Sequence, residues 1–282
     1  MRPILVTGAS GRLGRAVAAA CAARDLAAVT FTHAELDVTD RVAVGAALDR
    51  HDPWAVCNAA GVVRASLTAA DSARCRRVNA LGPRLLADEC HAAGIRLLAF
   101  SSDFVFDGEK ASPYHEGDRP RPQGDVGESQ HAGEAAVLAR APEALVVRTS
   151  APFGGSDDDD FVGRTLAALR ADRPVLCASD ALVTPTYLPE LVDVCLDLLI
   201  DGERGVWHLV HEGPRTWADV ARAAARVAGL CADRVQGRPR RALPQASMPP
   251  RHRPLASRRG ELLSSLDDAL VRYQRRYEER AP

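Results

Sequence analysis

PILVTGASGRLG, residues 3–14, is the stretch of this sequence that says most about the fold. Its apolar start, Pro3–Val6, is typical of a central parallel strand, and residues 15–23 repeat apolar side chains on one helical face. Glycines between a strand and a helix allow a tight turn, let the backbone approach a pyrophosphate and leave helix N–H groups free for phosphate oxygens. This order predicts a dinucleotide-binding loop. The predicted cofactor contacts in it are Gly8, Ser10, Gly11, Arg12, Leu13 and Gly14.

Strand-like and helix-like segments alternate from this loop to Arg148. Alternation of this kind implies right-handed crossovers and a parallel sheet. We therefore predict an α/β protein with a Rossmann-type doubly wound parallel sheet. Residues 1–150 are predicted to be the dinucleotide-binding domain, and residues 151–282 a smaller C-terminal substrate-binding lobe of mixed α/β structure that partly returns to the sheet. In that lobe we expect residues 235–258, with five prolines and six arginines, to be irregular, and a last helix to span Leu262–Tyr273.

The composition argues against several classes of protein. A formal net charge of −1 is unlike a nucleic-acid binder, which usually carries a strong basic surplus. No apolar run approaches the roughly 18 residues of a membrane span, and the amino terminus has no signal-peptide pattern. Seven cysteines, an odd number without a C-x-x-C pair, favour a reduced intracellular protein. We predict a cytoplasmic protein with a small-molecule substrate, no nucleic-acid or membrane partner, and homodimerisation left open.

A metal site is not predicted. The eight histidines form no ligand pattern along the sequence. His208 and His211, three residues apart on a predicted strand, would point to opposite faces of it.

Two further loops are predicted to contact the dinucleotide. A cofactor without a 2′-phosphate usually finds a carboxylate near the end of the second strand, but residues 30–33, TFTH, contain none. Arg12 could instead meet a 2′-phosphate, so the sequence slightly favours NADP over NAD. Asp37 is predicted either to reach the adenine or to cap a helix over residues 39–50. Val38, directly after Asp37, is also predicted to contact the cofactor. The remaining predicted contacts follow the strand at residues 54–57: Asn58, Ala59, Ala60 and Gly61.

A predicted strand at residues 96–100 leads into the polar segment SSDFVFDGEKASPYHEGDRPRPQGDVGESQHAGE, residues 101–134. In α/β domains ligands bind at the carboxyl ends of the strands. Ser102, Asp103 and Phe104 follow the strand directly and are predicted to contact the substrate. A helix is predicted to begin near Val126.

The chain contains the motifs TGASGRLG (residues 7–14), LDVTD (36–40), NAAG (58–61), VNALGPRLLADEC (78–90), SSDFVFDG (101–108), PYHEGD (113–118), GESQHAGE (127–134), RTS (148–150), PT (185–186) and WHLV (207–210). Together they resemble the extended short-chain dehydrogenase/reductase family, and within it the dTDP-4-dehydrorhamnose reductases and related nucleotide-sugar 4-ketoreductases. The resemblance extends over nearly the whole chain. It implies an NAD(P)-binding oxidoreductase fold and a nucleotide-sugar or related biosynthetic intermediate as substrate.

The resemblance also implies a catalytic pattern, YGxSKxxGE, at the start of the helix. In the family the tyrosine gives a proton to the ketone, the lysine holds the cofactor ribose and lowers the phenol pKa, and a Ser or Thr bonds the carbonyl. Ser102 matches the hydroxyl residue, whereas Val126 stands in the tyrosine position and Gln130 in the lysine position. By this correspondence Ser102 is predicted to be catalytic, Val126 to lie against the substrate and Gln130 against the cofactor.

No shift of register restores the pair. None of the four tyrosines has a lysine four residues later, and Lys110 is the only lysine. The candidates for a relocated acid are residues close to the site in sequence, with Tyr114 first among them: Tyr114, His115, Glu116 and His131.

Three functions stay open at this point. The chain could be a reductase with a non-standard proton donor. It could use the same fold for non-redox chemistry such as elimination, epimerisation or cyclisation. It could also bind the cofactor without turnover, as a partner subunit.

Overall fold

The structure is a computed structural model that describes residues 2–63, 69–155, 159–243 and 253–279. Contacts within the chain divide it into two units. The first comprises residues 1–107, 119–148 and 192–207, and the second residues 108–118, 149–191 and 208–282. The predicted boundary at residue 150 is close to the break at Arg148, but each unit also includes a segment from the other half of the sequence.

The strands are short and are numbered in chain order. They are β1 Ile4–Thr7, β2 Ala28–Phe31, β3 Ala55–Asn58, β4 Arg96–Ser102, β5 Leu145–Thr149, β6 Pro152–Phe153, β7 Val175–Ala178, β8 Leu182–Val183, β9 Thr186–Tyr187, β10 Gly205–His208, β11 Arg215–Thr216 and β12 Val235–Arg238.

The helices are also numbered in chain order. They are α1 Arg12–Ala23, α2 Arg41–His51, α3 Ala69–Cys75, α4 Gly82–Ala93, α5 Asp125–Arg140, α6 Phe161–Arg170, α7 Leu188–Asp201, α8 Trp217–Val227 and α9 Leu266–Glu278.

A six-stranded sheet in the order β10-β5-β4-β3-β1-β2 carries the Rossmann-type fold. β1 pairs in parallel with both β2 and β3, and β3 pairs in parallel with β4. Ile4, Leu5 and Val6 are fully buried, as expected for a parallel strand covered on both faces. The prediction of a parallel doubly wound sheet is therefore confirmed.

Helix ends in the first unit follow local capping chemistry. Gly94 ends α4 in the left-handed conformation, with φ of 64°, which glycine adopts without the strain a side chain would bring. The α2 helix is capped by Asp40, whose carboxylate accepts the N–H groups of Val42 at 2.9 Å and Ala43 at 3.1 Å. The alternative prediction that Asp37 caps this helix is therefore wrong.

Helix α4 is the last part of a longer helical segment. Helix α3 continues into a π-helical stretch, Arg76–Leu81, and then into α4. Sequence periodicity did not indicate it, because the wider turn changes the spacing of the buried residues. The π-helical stretch carries Asn79, which is buried at 6% exposure.

The second unit has its own apolar core. Phe153 packs against the rings of Tyr187, at 5.5 Å between centroids, and Tyr273, at 5.9 Å. β12 pairs in parallel with β7, so the first residues of the segment predicted to be irregular form a strand. Its residues 244–252 lie outside the described residues. Helix α9 begins at Leu266 and ends at Glu278, four and five residues later than predicted.

His208 and His211 are both buried in the second unit as structural residues. The prediction that they share a strand is wrong, because β10 ends at His208. His208 Nδ1 lies 3.1 Å from the carbonyl oxygen of Tyr114 and 3.0 Å from that of Ala256. His211 Nδ1 lies 2.7 Å from the Ser264 carbonyl, and its Nε2 accepts the Tyr187 N–H at 3.0 Å. Across residues 2–63, 69–155, 159–243 and 253–279, no group of three His, Cys, Asp or Glu side chains could hold a metal ion.

In the same described ranges, none of the helices combines the length and hydropathy needed to cross a membrane.

Candidate active site

The glycine loop lies against the loop that follows β3. Gly8 has a φ of +68°, and a Cβ on it would come within 2.6 Å of backbone atoms of Ala59 and Ala60. A side chain at this position would be strained and would separate the two loops. Asn58 stabilises the contact between the two loops, because its Oδ1 accepts hydrogen bonds from the Thr7 hydroxyl at 2.8 Å and the Ala60 N–H at 3.3 Å.

Helix α1 leaves its first amides available to a ligand. Its N-cap residue, Gly11, makes no side-chain cap, and no acidic residue lies in its first turn. Ser10 and Gly11 are exposed, and Arg12 and Leu13 are half-buried. An uncapped helix N-terminus behind a glycine loop suits a pyrophosphate, because its N–H groups and dipole attract anions. The loop at residues 8–14 therefore fits a dinucleotide.

An acid does lie at the end of β2. Glu35 turns back so that its Oε2 accepts the Thr32 N–H and the Thr32 hydroxyl, both at 2.8 Å. These two hydrogen bonds lower the pKa of Glu35, which is exposed. Residues 30–33 contain no acid, as the sequence states, but the turn brings one back from position 35. The Ala9 N–H bonds the Phe31 carbonyl at 2.9 Å, so this strand end adjoins the glycine loop.

Asp37 and Val38 differ in what they can offer a cofactor. Asp37 Oδ1 accepts the Thr39 N–H at 2.9 Å and the Thr39 hydroxyl at 2.8 Å, and Arg77 lies 3.8 Å from its other oxygen. Burial acts to raise the pKa of Asp37, but the bonds from Thr39 outweigh it and the pKa is lowered. Val38 is 3% exposed, and its Cγ2 lies against Gly82. The Val38 side chain therefore belongs to the core.

Ser102 and Gln130 meet at the centre of the candidate site. The Ser102 hydroxyl donates to Gln130 Oε1 at 2.7 Å and accepts the Phe104 N–H at 3.2 Å. Ser102 is the last residue of β4, and Gln130 lies one helical turn after Val126 on α5. The side chain in the lysine position thus accepts the hydrogen bond that the serine hydroxyl donates.

Two glycines bring α5 against its neighbours. A Cβ on Gly127 would lie 2.2 Å from the Phe104 carbonyl oxygen, and one on Gly133 would lie 2.1 Å from the Asn79 carbonyl oxygen. This close approach keeps Val126 and Gln130 at the end of β4. Any larger residue at either glycine would push the helix away.

Asn79 is a positioning residue that sequence reasoning missed. Its Oδ1 accepts the Val62 N–H at 2.7 Å, and its Nδ2 donates to the Val62 carbonyl at 2.8 Å and to Ser129 Oγ at 3.1 Å. Ser129 in turn donates to the Val126 carbonyl at 2.9 Å. The chain of bonds joins the loop after β3 to the first turn of α5. Its only signal in the sequence was its place in the VNALG motif.

A buried ion pair lies behind the site. Arg148 Nε and Nη2 donate to the two Glu134 oxygens at 2.8 Å and 2.7 Å. Both side chains are 4% exposed. Burial acts to raise the pKa of Glu134, but Arg148 outweighs it and, with a contribution from His131, lowers the pKa. His131 Nδ1 lies 3.9 Å from Glu134 Oε2, so this candidate acid belongs to the same cluster.

The residues predicted to contact the substrate lie in the first unit. Ser102 ends β4, and Asp103 and Phe104 belong to a 3₁₀ turn, Asp103–Val105. Asp103 is 7% exposed, whereas Ser102, Phe104 and Val126 are half-buried. Contact between these four residues and a substrate stays a prediction.

Tyr114 lies in the second unit and uses its hydroxyl to hold a loop. The oxygen accepts the N–H groups of Gly108 at 3.1 Å, Glu109 at 3.0 Å and Lys110 at 3.1 Å. The side chain is 4% exposed. Lys110 bonds Asp118 at 2.5 Å. These contacts describe a structural tyrosine, although its role as an acid stays a prediction.

Glu116 is held as a carboxylate. Its oxygens accept the Ser257 hydroxyl at 2.6 Å and the N–H groups of Arg258 at 3.0 Å and His208 at 3.1 Å. Burial acts to raise the pKa of Glu116, but these hydrogen bonds outweigh it and the pKa is lowered. A carboxylate stabilised in this way is a poor proton donor near neutral pH. The backbone N–H of the neighbouring His115 donates to the Asp118 carboxylate at 2.8 Å.

Tyr114→Phe is expected to lower the free energy of unfolding by about 1 kcal/mol or more, because three N–H groups lose their shared acceptor. Urea denaturation measures this change. Tyr277→Phe is the matched control, since the ring of Tyr277 lies 3.9 Å from the Arg170 guanidinium and its hydroxyl is not part of that contact. A stable Tyr114→Phe variant with turnover reduced by about 100-fold would instead identify Tyr114 as the acid.

Comparison with known proteins places the chain in a family. The family model of the RmlD substrate binding domain matches residues 1–274. The chain belongs to this family. A dTDP-4-keto-6-deoxy-D-glucose reductase of Streptomyces niveus is 33% identical over 248 residues, which are 88% of this chain and 86% of that protein.

Solved structures of similar proteins have the same fold as this member of the RmlD substrate binding domain family. A dTDP-4-dehydrorhamnose reductase from Clostridium acetobutylicum aligns with a TM-score of 0.89 over 98% of this chain and 99% of that one, at 25% identity. A dTDP-4-dehydrorhamnose reductase from Bacillus anthracis, solved in complex with NADP, aligns with a TM-score of 0.89 over 96% and 98% of the two chains, at 22% identity. The resemblance inferred from the sequence motifs is confirmed.

Proposed function

We propose that this chain is an NAD(P)-dependent reductase of a 4-keto nucleotide sugar or a closely related intermediate, with a proton source other than a tyrosine on α5. The observation that carries the proposal is the pairing of Ser102 with Gln130 at the end of β4, 2.7 Å apart. It joins the hydroxyl that the family uses on the carbonyl to the neutral amide of Gln130, whose Oε1 accepts the hydrogen bond, in the unit that also contains a loop fitting a dinucleotide.

The residues of the first unit would hold the cofactor in defined ways. The amides of residues 8–14 would bind the pyrophosphate, and the backbone of Asn58–Gly61 would lie along the cofactor, because Gly8 brings the two loops together. A bound reduced nicotinamide would supply a hydride, so that the carbonyl gains two electrons and the cofactor loses two. Ser102 and Gln130 would orient the carbonyl for that transfer.

The substrate class is supported by the relatives. The Streptomyces niveus protein is a reductase of dTDP-4-keto-6-deoxy-D-glucose, and the Clostridium and Bacillus proteins are dTDP-4-dehydrorhamnose reductases. All three names describe reduction of a nucleotide-sugar ketone at carbon 4. The same chemistry is proposed for this chain.

Cofactor binding and turnover can be tested separately. Titration of NADPH and NADH against the full chain, followed by nicotinamide fluorescence, should give saturable binding below millimolar concentration. Oxidation of the reduced cofactor should then follow addition of dTDP-4-keto-6-deoxy-D-glucose. Absence of binding would contradict the cofactor assignment, whereas binding without oxidation of cofactor would contradict the reductase assignment alone.

The preference for NADP stays a proposal, and two charged side chains should decide it. Arg12, at the start of α1, would attract a 2′-phosphate, and the Glu35 carboxylate at the end of β2 would repel it and bond a free ribose hydroxyl. Arg12→Ala is expected to weaken NADPH binding about 10-fold with little effect on NADH binding. Glu35→Gln is expected to weaken NADH binding relative to NADPH binding. Fluorescence titration of both variants measures this. An unchanged ratio of the two dissociation constants in both variants would place the adenosine ribose elsewhere.

A second candidate function is a cofactor-binding partner subunit without turnover. One observation favours it: the Ser102 proton is already donated to Gln130, so the hydroxyl has no second proton for a carbonyl. Non-redox chemistry on the same fold has no such observation in its favour. Saturable binding of cofactor and keto sugar, with both recovered unchanged, would support the partner role.

Cytoplasmic location and homodimerisation also remain proposals. The first is supported by the free thiols among the described cysteines, six of which are buried. Light scattering of the purified chain measures the second.

A further inference from the structure

We propose that Gln130 is a catalytic residue whose Nε2 amide donates a hydrogen bond to the substrate carbonyl oxygen, and that Ser102 orients it. The inference rests on the proposed reductase function and deepens it. It reassigns Gln130 from a cofactor contact to the group that stabilises negative charge on the reacting oxygen.

The first step of the argument is the direction of the Ser102 bond. The Ser102 hydroxyl has one proton, which it donates in a hydrogen bond to Gln130 Oε1 at 2.7 Å. Its oxygen accepts a hydrogen bond from the Phe104 N–H at 3.2 Å. A carbonyl oxygen can only accept hydrogen bonds. Ser102 therefore has nothing left to donate to a ketone in this arrangement.

The second step is the free end of Gln130. With Oε1 fixed on Ser102, the two Nε2 protons point away from that bond. Within residues 2–63, 69–155, 159–243 and 253–279, Gln130 Nε2 makes no hydrogen bond to a protein acceptor. Gln130 is half-buried, so these protons are accessible to a ligand at the carboxyl end of β4.

The third step excludes the nearest competing acceptor. Glu134 lies one helical turn beyond Gln130 on α5, where i and i+4 side chains are neighbours. Its two oxygens are bound by Arg148 at 2.8 Å and 2.7 Å. Arg148 therefore holds the Glu134 carboxylate in a buried ion pair, and the two side chains share no hydrogen bond with Gln130 among the described residues.

The reduction then needs no proton from an acidic side chain of the protein. As hydride reaches carbon 4, negative charge develops on the carbonyl oxygen, and an N–H donor fixed in advance stabilises it. The Ser102 bond to Oε1 polarises the amide and strengthens the Nε2 donors. The oxygen finally takes its proton from solvent water, which leaves as hydroxide. Val126, which has no proton to give, needs no role in this step.

The test uses variants of the full chain. Gln130→Met keeps the length of the side chain and removes the donor, so kcat/KM should fall about 100-fold. Ser102→Ala should reduce kcat/KM less, about 10-fold, because it loosens the orientation of Gln130 without removing the donor. Gln236→Met in β12, where Gln236 is exposed, makes the same chemical change outside the site and should leave kcat/KM unaltered.

A second readout is independent of turnover. In the complex with oxidised cofactor and the keto sugar labelled with ¹³C at carbon 4, the infrared carbonyl stretch should lie lower than in solution for the parent chain. It should return toward the unbonded frequency in Gln130→Met. The parent kcat/KM should also be constant between about pH 6 and 9, because neither the Ser102 hydroxyl nor the Gln130 amide titrates in that range.

The outcomes separate the two proposals. If the parent reduces the keto sugar and Gln130→Met changes neither the carbonyl stretch nor kcat/KM, the role of Gln130 is overturned. The reductase function then still stands. Failure of the parent to bind the keto sugar would overturn the proposed function, and the role of Gln130 with it. A shifted carbonyl stretch that Gln130→Met abolishes would support the role even at low turnover.

Discussion

The variant Val126→Tyr/Gln130→Lys is expected to reduce a 4-keto nucleotide sugar with a kcat/KM about 100-fold or more above that of the parent chain. A positioned acid contributes roughly 10²–10⁴-fold to a rate, and the two substitutions supply a phenol and a cation one helical turn apart. Helix α5 is already docked for them, since a Cβ on Gly127 would lie 2.2 Å from the Phe104 carbonyl oxygen. The backbone therefore needs no rearrangement to present the new side chains.

Electrostatics around position 130 favour the same result. The carboxylate one helical turn beyond, Glu134, is bound at 2.7 Å by Arg148, so it does not draw the new ammonium away from the site. The change at position 130 also frees the Ser102 hydroxyl, because an ammonium cannot accept its proton. The serine can then bond the ketone, as the family pattern implies.

Initial rates of NAD(P)H oxidation with dTDP-4-keto-6-deoxy-D-glucose measure the effect. The double variant should acquire a pH dependence from its phenol that the parent lacks. Val126→Phe/Gln130→Lys is the matched control, because it fills the same volume without a proton. An equal gain in that control would show that proton donation is not the cause.

The glycine loop and the order of the elements were predictable from the sequence because the signals are local. A fully buried strand such as Ile4–Thr7 has a continuous apolar run, and the glycines directly after it leave few other folds. The start of the helix over Phe161–Arg170 is also a local feature, since Asp160 before it accepts the Gly163 N–H at 2.9 Å. Capping chemistry of this kind is written in adjacent residues.

The start of α9 could have been predicted from a signal that was overlooked. Ser265 accepts the Asp268 N–H at 3.1 Å and donates to the Asp268 carboxylate at 2.7 Å. A Ser followed three residues later by an acid is a helix-start pattern. The predicted helix instead began at Leu262.

Other features depend on contacts that local sequence does not encode. β12 pairs in parallel with β7, about sixty residues earlier, with Val235 opposite Val175, and its proline- and arginine-rich surroundings suggested no strand. The bond between Ser102 and Gln130 depends on a side-chain direction across a helix and a strand. Motif positions predicted that both residues belong to the site, but only the structure shows that Ser102 donates a hydrogen bond to Gln130.

Glu134→Ala is expected to lower the free energy of unfolding by about 3–5 kcal/mol, since it leaves a buried cation without its partner. Arg148 is 3% exposed, and water cannot replace the two hydrogen bonds that Glu134 accepts from it. Urea denaturation at pH 7 measures the loss. Glu143→Ala is the control, because Glu143 pairs with His91 at the surface, with side chains 43% and 57% exposed, and exposed pairs contribute at most about 1 kcal/mol.

The pH dependence of that stability provides a second check on Glu134. Burial acts to raise its pKa, but Arg148 lowers it below the ordinary value in the folded chain, so the unfolded chain binds the proton more tightly. The contribution of the carboxylate is then fully present above the ordinary glutamate pKa of about 4.3 and is lost as the pH falls below it. The stability difference between the parent and Glu134→Gln should therefore stay constant from pH 7 to about pH 5 and shrink from about pH 5 to about pH 2, as the pH falls through the lowered pKa of the folded chain. A difference that stays constant below about pH 5 as well would mean that the pair is not ionised, and the site would lack the charge balance that leaves Gln130 free.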